Sequence, residues 1–380
     1  MNGNQLTHSI CGMCSARCPI TVETCNDTVK MIYGNMHSPL KGALCARGVA
    51  GKALLEDNER PQSPLIRQGE RGEGKWRAVS WDEALDYVAQ KITEAQNKYG
   101  KQTVLWSDRE GPFADLSRGF MRGLGSPNVC SHSPSCDLNT HHACKAVLGL
   151  GRGMTVYDFA NAKHLVLQTR NIFEAINLGE ARTVMQALRK GCKLTVIDIR
   201  QSITSSKADT FHIIRPGTDY AFNLAVINTL ISENLYNKEY VRAHTTGFDA
   251  LAAFVAPYTA EWAAQECGVE ARAITDLARA LAAAAPQVIW HPGWMSSRYA
   301  DSFQVGRTAL VITALLGGTG TKGGFVPGRT PKDCGKPGLK KFVDLYPAVK
   351  LPRADGLGAD NKAFDPGKGL LHKAFEAINN

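Results

Sequence analysis

Residues 164–200 read HLVLQTRNIFEAINLGEARTVMQALRKGCKLTVIDIR, and the spacing of the apolar positions within them sets the fold. His164-Leu-Val-Leu167 is a short apolar run that reads as a buried strand. Ala181, Val184, Met185 and Leu188 recur at helical spacing, Gly191 stops that helix, and Leu194-Thr-Val-Ile197 is the next strand. Strand, helix and strand in this order predict a βαβ unit and a parallel sheet. Another strand, Phe211 to Ile214, runs into Arg215-Pro-Gly-Thr-Asp219, with Asp219 near the start of the following helix. In open sheets of this type ligands sit beyond the carboxyl ends of the strands. That places Arg170 and Asn171, Asp198 and Arg200, and Pro216 to Asp219 at the candidate ligand edge. No G-x-G-x-x-G follows the first strand, which disfavours a simple nicotinamide dehydrogenase; Gly149-Leu-Gly-Arg-Gly153 precedes that strand and reads as a turn.

Toward the C-terminus lie an alanine-rich helix, Arg272 to Ala285, and a strand, Gln287 to Trp290, that ends in His291-Pro-Gly-Trp294. An apolar helix, Gln304 to Leu316, is closed by a glycine-rich turn at 317–324. The last 50 residues are rich in Pro, Gly and Lys and show little periodicity. Toward the N-terminus, Pro61 to Trp76 reads as an irregular surface connector. Ser80 and Glu83 form a capping box for a helix whose apolar face is Leu85, Val88, Ala89 and Ile92.

The N-terminal segment carries different chemistry. Cys11-Gly-Met-Cys14-Ser-Ala-Arg-Cys18 is followed, after 26 residues, by Cys45-Ala-Arg-Gly48. Three thiolates from one tight loop and a fourth from a separate turn are what a 4Fe-4S cluster takes. A zinc ribbon would pair two C-x2-C knuckles, and the second is absent. A disulfide framework suits small secreted domains, and 11 cysteines cannot all pair within the chain.

At roughly 100–200 residues per domain, 380 residues suggest two or three domains. With 44% hydrophobic residues, the composition is that of a globular protein. No run approaches the roughly 20 apolar residues that span a bilayer. Met1 to Ile10 shows neither a signal core nor a twin-arginine motif, so by sequence the expectation is a cytoplasmic chain, or one exported by other means. The formal charge of +9 favours anionic partners. Nucleic acid is disfavoured, because there is no run of five or more basic residues and no aromatic ladder among them.

Taken together these segments resemble the molybdopterin-dependent oxidoreductases of the dimethyl-sulfoxide-reductase fold, and within them the thiosulfate and polysulfide reductase catalytic subunits. The resemblance rests on the C-x2-C-x3-C loop with Cys45-Ala-Arg-Gly48, on Arg71-Gly-Glu-Gly-Lys75 leading into Ser80-Trp-Asp-Glu-Ala84, on Arg170-Asn-Ile-Phe-Glu174, on Val196-Ile-Asp-Ile-Arg200, on Arg215-Pro-Gly-Thr-Asp219 and on Gly323-Gly324. It implies an α/β multi-domain fold: a 4Fe-4S domain at 1–56, a Rossmann-like domain at 136–300 that binds pterin dinucleotides, and a discontinuous α/β domain at 57–135 and 301–380. Family members are longer, which implies a missing cap domain or a separate C-terminal chain.

The resemblance also implies roles. Cys11, Cys14, Cys18 and Cys45 would hold the cluster, and Arg47 would stand between cluster and pterin. Cys136, in the loop before a helix-like segment ending at Gly149, would ligate molybdenum or tungsten. Arg170, Asn171, Asp198, Arg200, Gly217, Thr218 and Asp219 would contact two molybdopterin guanine dinucleotides, with Asp219 pairing guanine. Asp137 follows Cys136 where formate dehydrogenases of the family have His, which argues against formate. Ile199 departs from the family's Asp-Pro-Arg. Arg298 is expected to bind a small sulfur anion and His291 to help supply a proton. The remaining thiols, such as Cys25, Cys130, Cys144, Cys192, Cys267 and Cys334, read as packing residues. The implied partners are a ferredoxin-like iron–sulfur subunit and a quinone-linked membrane anchor, usually outside the cytoplasmic membrane. The alternative is a non-catalytic electron-transfer subunit without molybdenum.

Overall fold

The computed structural model describes residues 4–14, 16–108, 114–132, 136–150, 155–174, 177–328, 342–354 and 369–370. The chain forms two compact units, residues 1–49 with 136–331, and residues 50–135 with 332–380.

In the first unit, β1 (Gln5–Ile10), β2 (Pro19–Cys25) and β3 (Thr28–Gly34) make an antiparallel meander. The remainder is built on a parallel sheet of β4 (His164–Gln168), β5 (Lys193–Asp198), β6 (Thr210–Ile213) and β7 (Val288–His291), in the order β6-β5-β4-β7. Leu165 pairs with Leu194 on one side and Ile289 on the other. All of β4 and β7 is buried, as expected of strands covered on both faces.

The two-residue period of the strands divides the core. Leu165, Leu167, Leu194, Val196 and Ile289 pack on one face, with Val184 and Ala187 of α2 (Leu178–Arg189). Val166, Ile197, Val288 and Trp290 face the other way, against α3 (Asp219–Ser232), α4 (Ala271–Ala284) and α5 (Ser302–Leu315). Phe222, Leu230, Ile274 and Leu281 are fully buried there, each side chain contributing about 2 kcal/mol. The sequence-derived strands and helices of this region are all present, with ends shifted by one or two residues.

The expected domain boundary at residue 300 is displaced. α5 is apolar on nearly every side, with Val305, Ala309, Leu310, Ile312 and Leu315 buried, and it is covered by α3 and by α1 (Leu138–Leu148). Residues 301–328 therefore belong with the unit built on the sheet. The meander also joins this unit, through hydrogen bonding of the Arg182 guanidinium on α2 to the Leu40 carbonyl. The Gly323-Gly324 turn is a packing device: a Cβ on Gly324 would lie 1.9 Å from the Gly318 carbonyl oxygen.

In the second unit Ser80 caps the helix Trp81–Tyr99, its hydroxyl accepting from the Glu83 N–H at 3.1 Å. The Glu83 carboxylate turns to Arg77 at 2.5 Å instead of completing the box. Leu85 and Val88 of the expected apolar face are exposed. The segment expected to be an irregular connector contains a hairpin, Leu65–Arg67 against Trp76–Ala78, whose turn runs through positive-φ glycines at 69, 72 and 74. Trp106–Asp108 pairs in parallel with Val129–Ser131, which pairs with Gly369–Leu370. Most of the C-terminal segment read as aperiodic lies outside the described residues. Among the described residues no helix is long and apolar enough to cross a membrane.

Candidate cofactor site

The four N-terminal thiols share one neighbourhood. Cys11 ends just after β1 and Cys18 just before β2, and the loop is closed by the Cys11 N–H donating to the Cys18 carbonyl at 2.8 Å. Burial raises the Cys18 pKa, and Cys14, Cys11 and Cys45 raise it further, since thiolates brought together repel. Cys45 is pulled the other way. The Gly48 N–H lowers its pKa most, followed by the N–H and guanidinium of Arg47, against an opposing effect of burial. The turn Ala46–Val49 thus presents donors to that sulfur and favours its thiolate form. Among the described residues no group of three His, Cys, Asp or Glu side chains could hold a single metal ion. A cubane makes no such demand, because each thiolate takes its own iron.

The order β6-β5-β4-β7 puts the topological switch point between β4 and β7, and the crevice at their carboxyl ends is where such sheets bind ligands. Two turns flank it. Thr169 has φ 48°, unusual for a β-branched residue, and its hydroxyl donates to the Pro292 carbonyl at 3.2 Å while accepting from the Ser296 N–H at 3.3 Å. Gly293 stands so close that a Cβ would lie 2.2 Å from the Gln168 carbonyl oxygen. Arg170 is buried, bonded to Glu180 at 2.7 Å and lying 5.5 Å from the centre of the Trp294 ring, with its Nε unpartnered. Asn171 donates to Glu174 and accepts from Thr204, each at 2.6 Å. Arg200 is exposed. Burial raises the Asp198 pKa, while its carboxylate accepts from the Ile199 N–H at 2.8 Å.

Asp219 begins α3 and is completely buried. Neither carboxylate oxygen has a well-formed hydrogen bond within the chain. Burial is the main force pushing its pKa up to about 7, with Asp301 and Asp198 adding to it; its own backbone and the nearby Gln168 amide act in the opposite sense. Beside it Gly217 has φ 85° with open space where a Cβ would be, and the Thr218 hydroxyl donates to the Arg215 carbonyl at 2.7 Å. An orphaned carboxylate, an orphaned guanidinium nitrogen and an open glycine turn fit a nucleotide that brings its own N–H donors and anionic oxygens.

Cys136 is half-buried just ahead of α1, where Asp137 occupies the N-cap and bonds His141 at 3.1 Å; residues 133–135 lie outside the described residues. The structure ties this helix to the turn that carries Arg298. The Thr140 and Ser297 hydroxyls are 2.8 Å apart, and Asn139 donates to Ser302 at 2.6 Å. Arg298 is exposed. His291 corrects the expectation of a proton donor. It is buried beside Tyr157, 4.5 Å away, its Nδ1 accepts from the Gly293 N–H at 2.9 Å, and burial together with Arg170 holds its pKa at about 3. With one nitrogen committed to a turn and the protonated ring disfavoured by burial, this geometry does not favour proton donation. Cys192 and Cys267 are likewise buried with raised pKa values, whereas Cys334 lies outside the described residues.

Sequence reasoning missed Glu180, Thr169, Trp294 and Gln168. Only Gln168 left a signal, as a polar residue closing an apolar strand.

Four gathered thiols, three from one loop and a fourth from a separate turn, in one unit with a parallel sheet that has a topological switch point, fit an iron–sulfur, dinucleotide-binding redox protein. More narrowly, the chain belongs to the molybdopterin oxidoreductase family: residues 60–377 match the molybdopterin oxidoreductase family model, and residues 4–57 match the molybdopterin oxidoreductase Fe4S4 domain. Its cofactors are accordingly a 4Fe-4S cluster and a molybdenum or tungsten molybdopterin. The chain is 36% identical over 321 residues to the thiosulfate reductase molybdopterin-containing subunit PhsA of Salmonella typhimurium, covering 84% of this chain and 42% of that protein. It is 29% identical to acetylene hydratase of Syntrophotalea acetylenica, over 95% of this chain and 48% of that one. The solved acetylene hydratase from Pelobacter acetylenicus superposes with a TM-score of 0.72 at 27% identity, over 84% of this chain and 44% of that structure. The chain therefore spans less than half the length of these relatives.

Proposed function

We propose that this chain supplies the cluster and a large part of the pterin site of an enzyme that reduces a sulfur-containing anion, thiosulfate or polysulfide, by two electrons. The observation that carries this reading is the 36% identity with a thiosulfate reductase subunit along 84% of the chain. When bound, the metal cofactor would supply two-electron chemistry at sulfur and the cluster one-electron transfer.

The chain's own residues divide the remaining work. Cys11, Cys14, Cys18 and Cys45 hold the cluster, with Arg47 as a fixed positive charge beside it. Cys136 offers a soft thiolate to the metal. Arg170, Asn171, Asp198, Arg200, Gly217 and Thr218 hold the dinucleotides, and Asp219 accepts from guanine. Arg298, on the turn bonded to α1, attracts and orients the anion. Electrons arrive from an iron–sulfur partner fed by a quinone-linked membrane anchor.

The test is elemental analysis of anaerobically purified protein, followed by reduced-viologen assays with both anions. About four irons with one molybdenum or tungsten per chain, turnover with either anion, and a raised KM in Arg298→Ala support the reading. Iron without either metal, or loaded protein inert toward both anions, overturns it.

A further inference from the structure

Thr169 follows β4 in the left-handed region, with φ 48°, where a β-branched side chain crowds its own backbone. The residue is buried, and its hydroxyl makes two contacts that a glycine in its place could not. It donates to the Pro292 carbonyl at 3.2 Å and accepts from the Ser296 N–H at 3.3 Å. The Ser296 hydroxyl donates to the same carbonyl at 2.7 Å, so the turn from Pro292 to Ser296 is closed and fastened to the end of β4 by one threonine. Gly293 lies against it, for a Cβ there would stand 2.4 Å from the Thr169 hydroxyl. Ser297 is buried too, its hydroxyl 2.8 Å from that of Thr140 on α1. The Arg298 N–H then donates to the Met295 carbonyl at 3.0 Å. Two buried serines thus pin the backbone, while Trp294, Met295 and Arg298 around them are exposed.

We propose that Thr169 is the positioning residue of the anion-binding turn: its hydroxyl fixes Ser296 and, through it, the backbone that carries Arg298 two residues on. The proposal rests on Arg298 being the residue that meets the anion. Glycine would occupy this φ without steric cost, and a strained side chain persists only where its surroundings over-determine it. Here the determining contacts are the two made by the hydroxyl. Without it the Ser296 N–H, in a residue only 1% exposed, loses this acceptor. A long arginine side chain in solvent keeps its rotamer freedom, so the fold can prepare it only by holding its backbone. Ordering that backbone during binding instead would weaken affinity for a small anion.

The experiment uses the cofactor-loaded enzyme with two readouts: hydrogen–deuterium exchange of the 292–299 backbone, and KM and kcat for thiosulfate with reduced viologen. Thr169→Val keeps the branched shape and removes the hydroxyl. It should speed exchange in that segment about tenfold and raise KM about fivefold, the worth of one ordinary hydrogen bond, with kcat little changed. Thr169→Ser keeps the hydroxyl and should return both readouts to the parent values. Thr169→Gly removes the strain together with the hydroxyl. It should melt at a higher temperature than Thr169→Val yet share its raised KM, which separates positioning from stability. Parent exchange rates in Thr169→Val, or a KM that follows melting temperature instead of the hydroxyl across the three variants, overturns the proposal. If Arg298→Ala leaves KM unchanged, the anion reading of Arg298 fails and the positioning role falls with it, even where Thr169→Val exchanges faster. If Arg298→Ala raises KM and Thr169→Val does not, that reading stands and the role of Thr169 alone is overturned.

Discussion

Asp219 and His291 show how one buried chain places opposite demands on its titratable groups. For Asp219, with a pKa raised to about 7, the folded state holds a proton that the unfolded state has released above about pH 4. Its contribution to stability is therefore lost as pH rises through that interval. His291 and His164, lowered to about 3 and about 4, are neutral in the fold and protonated in the unfolded chain below about pH 6.5, so their contribution is lost as pH falls. The two slopes oppose one another between about pH 4 and 6.5. Asp219→Asn should remove this slope that opposes the histidines in the cofactor-free chain. Thermal melts from pH 5 to 7.5 should show a steeper rise with pH than the parent protein, and a gain of a few kcal/mol at neutral pH. A variant whose melting curve parallels the parent's would contradict this assignment. Asp219 was legible as a residue because it follows a glycine turn. Its raised pKa was not, because burial and the carboxylates of Asp301 and Asp198 that raise it come from other elements.

At the scale of elements, the crevice is made by turns whose backbone conformations admit few side chains. Gly217 and Gly293 have φ of 85° and 72°, but only Gly293 is also crowded by neighbouring backbone. Gly217→Ala should cost about 1 kcal/mol, the price of a Cβ in the left-handed region. Gly293→Ala adds a clash with the Gln168 and Thr169 carbonyl oxygens, at 2.2 and 2.6 Å, that backbone cannot yield cheaply. Urea denaturation should show the second loss to be several-fold the first, and equal losses would mean that the β4 and β7 turns are free to separate. The strands themselves were plain in the sequence, since their apolar runs are bounded by glycine and charge. The hairpin at Leu65–Ala78 was not, because its strands are three residues each and too short to show a period.

For the whole molecule, the N-terminal meander and the parallel sheet belong to one compact unit, although 86 intervening residues, 50–135, belong to the other. The Arg47 guanidinium stabilises negative charge at Cys45, and the reduced cluster carries one more negative charge than the oxidised one. Arg47→Met should therefore make the cluster potential more negative, read by EPR-monitored redox titration with iron content unchanged. A potential that stays put would remove Arg47 from the role proposed for it beside the cluster. By itself the sequence determined the cluster loop, the βαβ order and the family, because each is written in local spacing: thiols along one loop and apolar residues at helical or strand period. Only the tertiary structure decided that residues 301–328 join the compact unit built on the sheet, that His291 is buried with one ring nitrogen committed to a turn, and that Trp290 orients the Gln168 amide toward Asn223. Those outcomes depend on which buried groups meet across 50 to 120 residues of chain, and on the desolvation that follows, and neither leaves a local pattern to read.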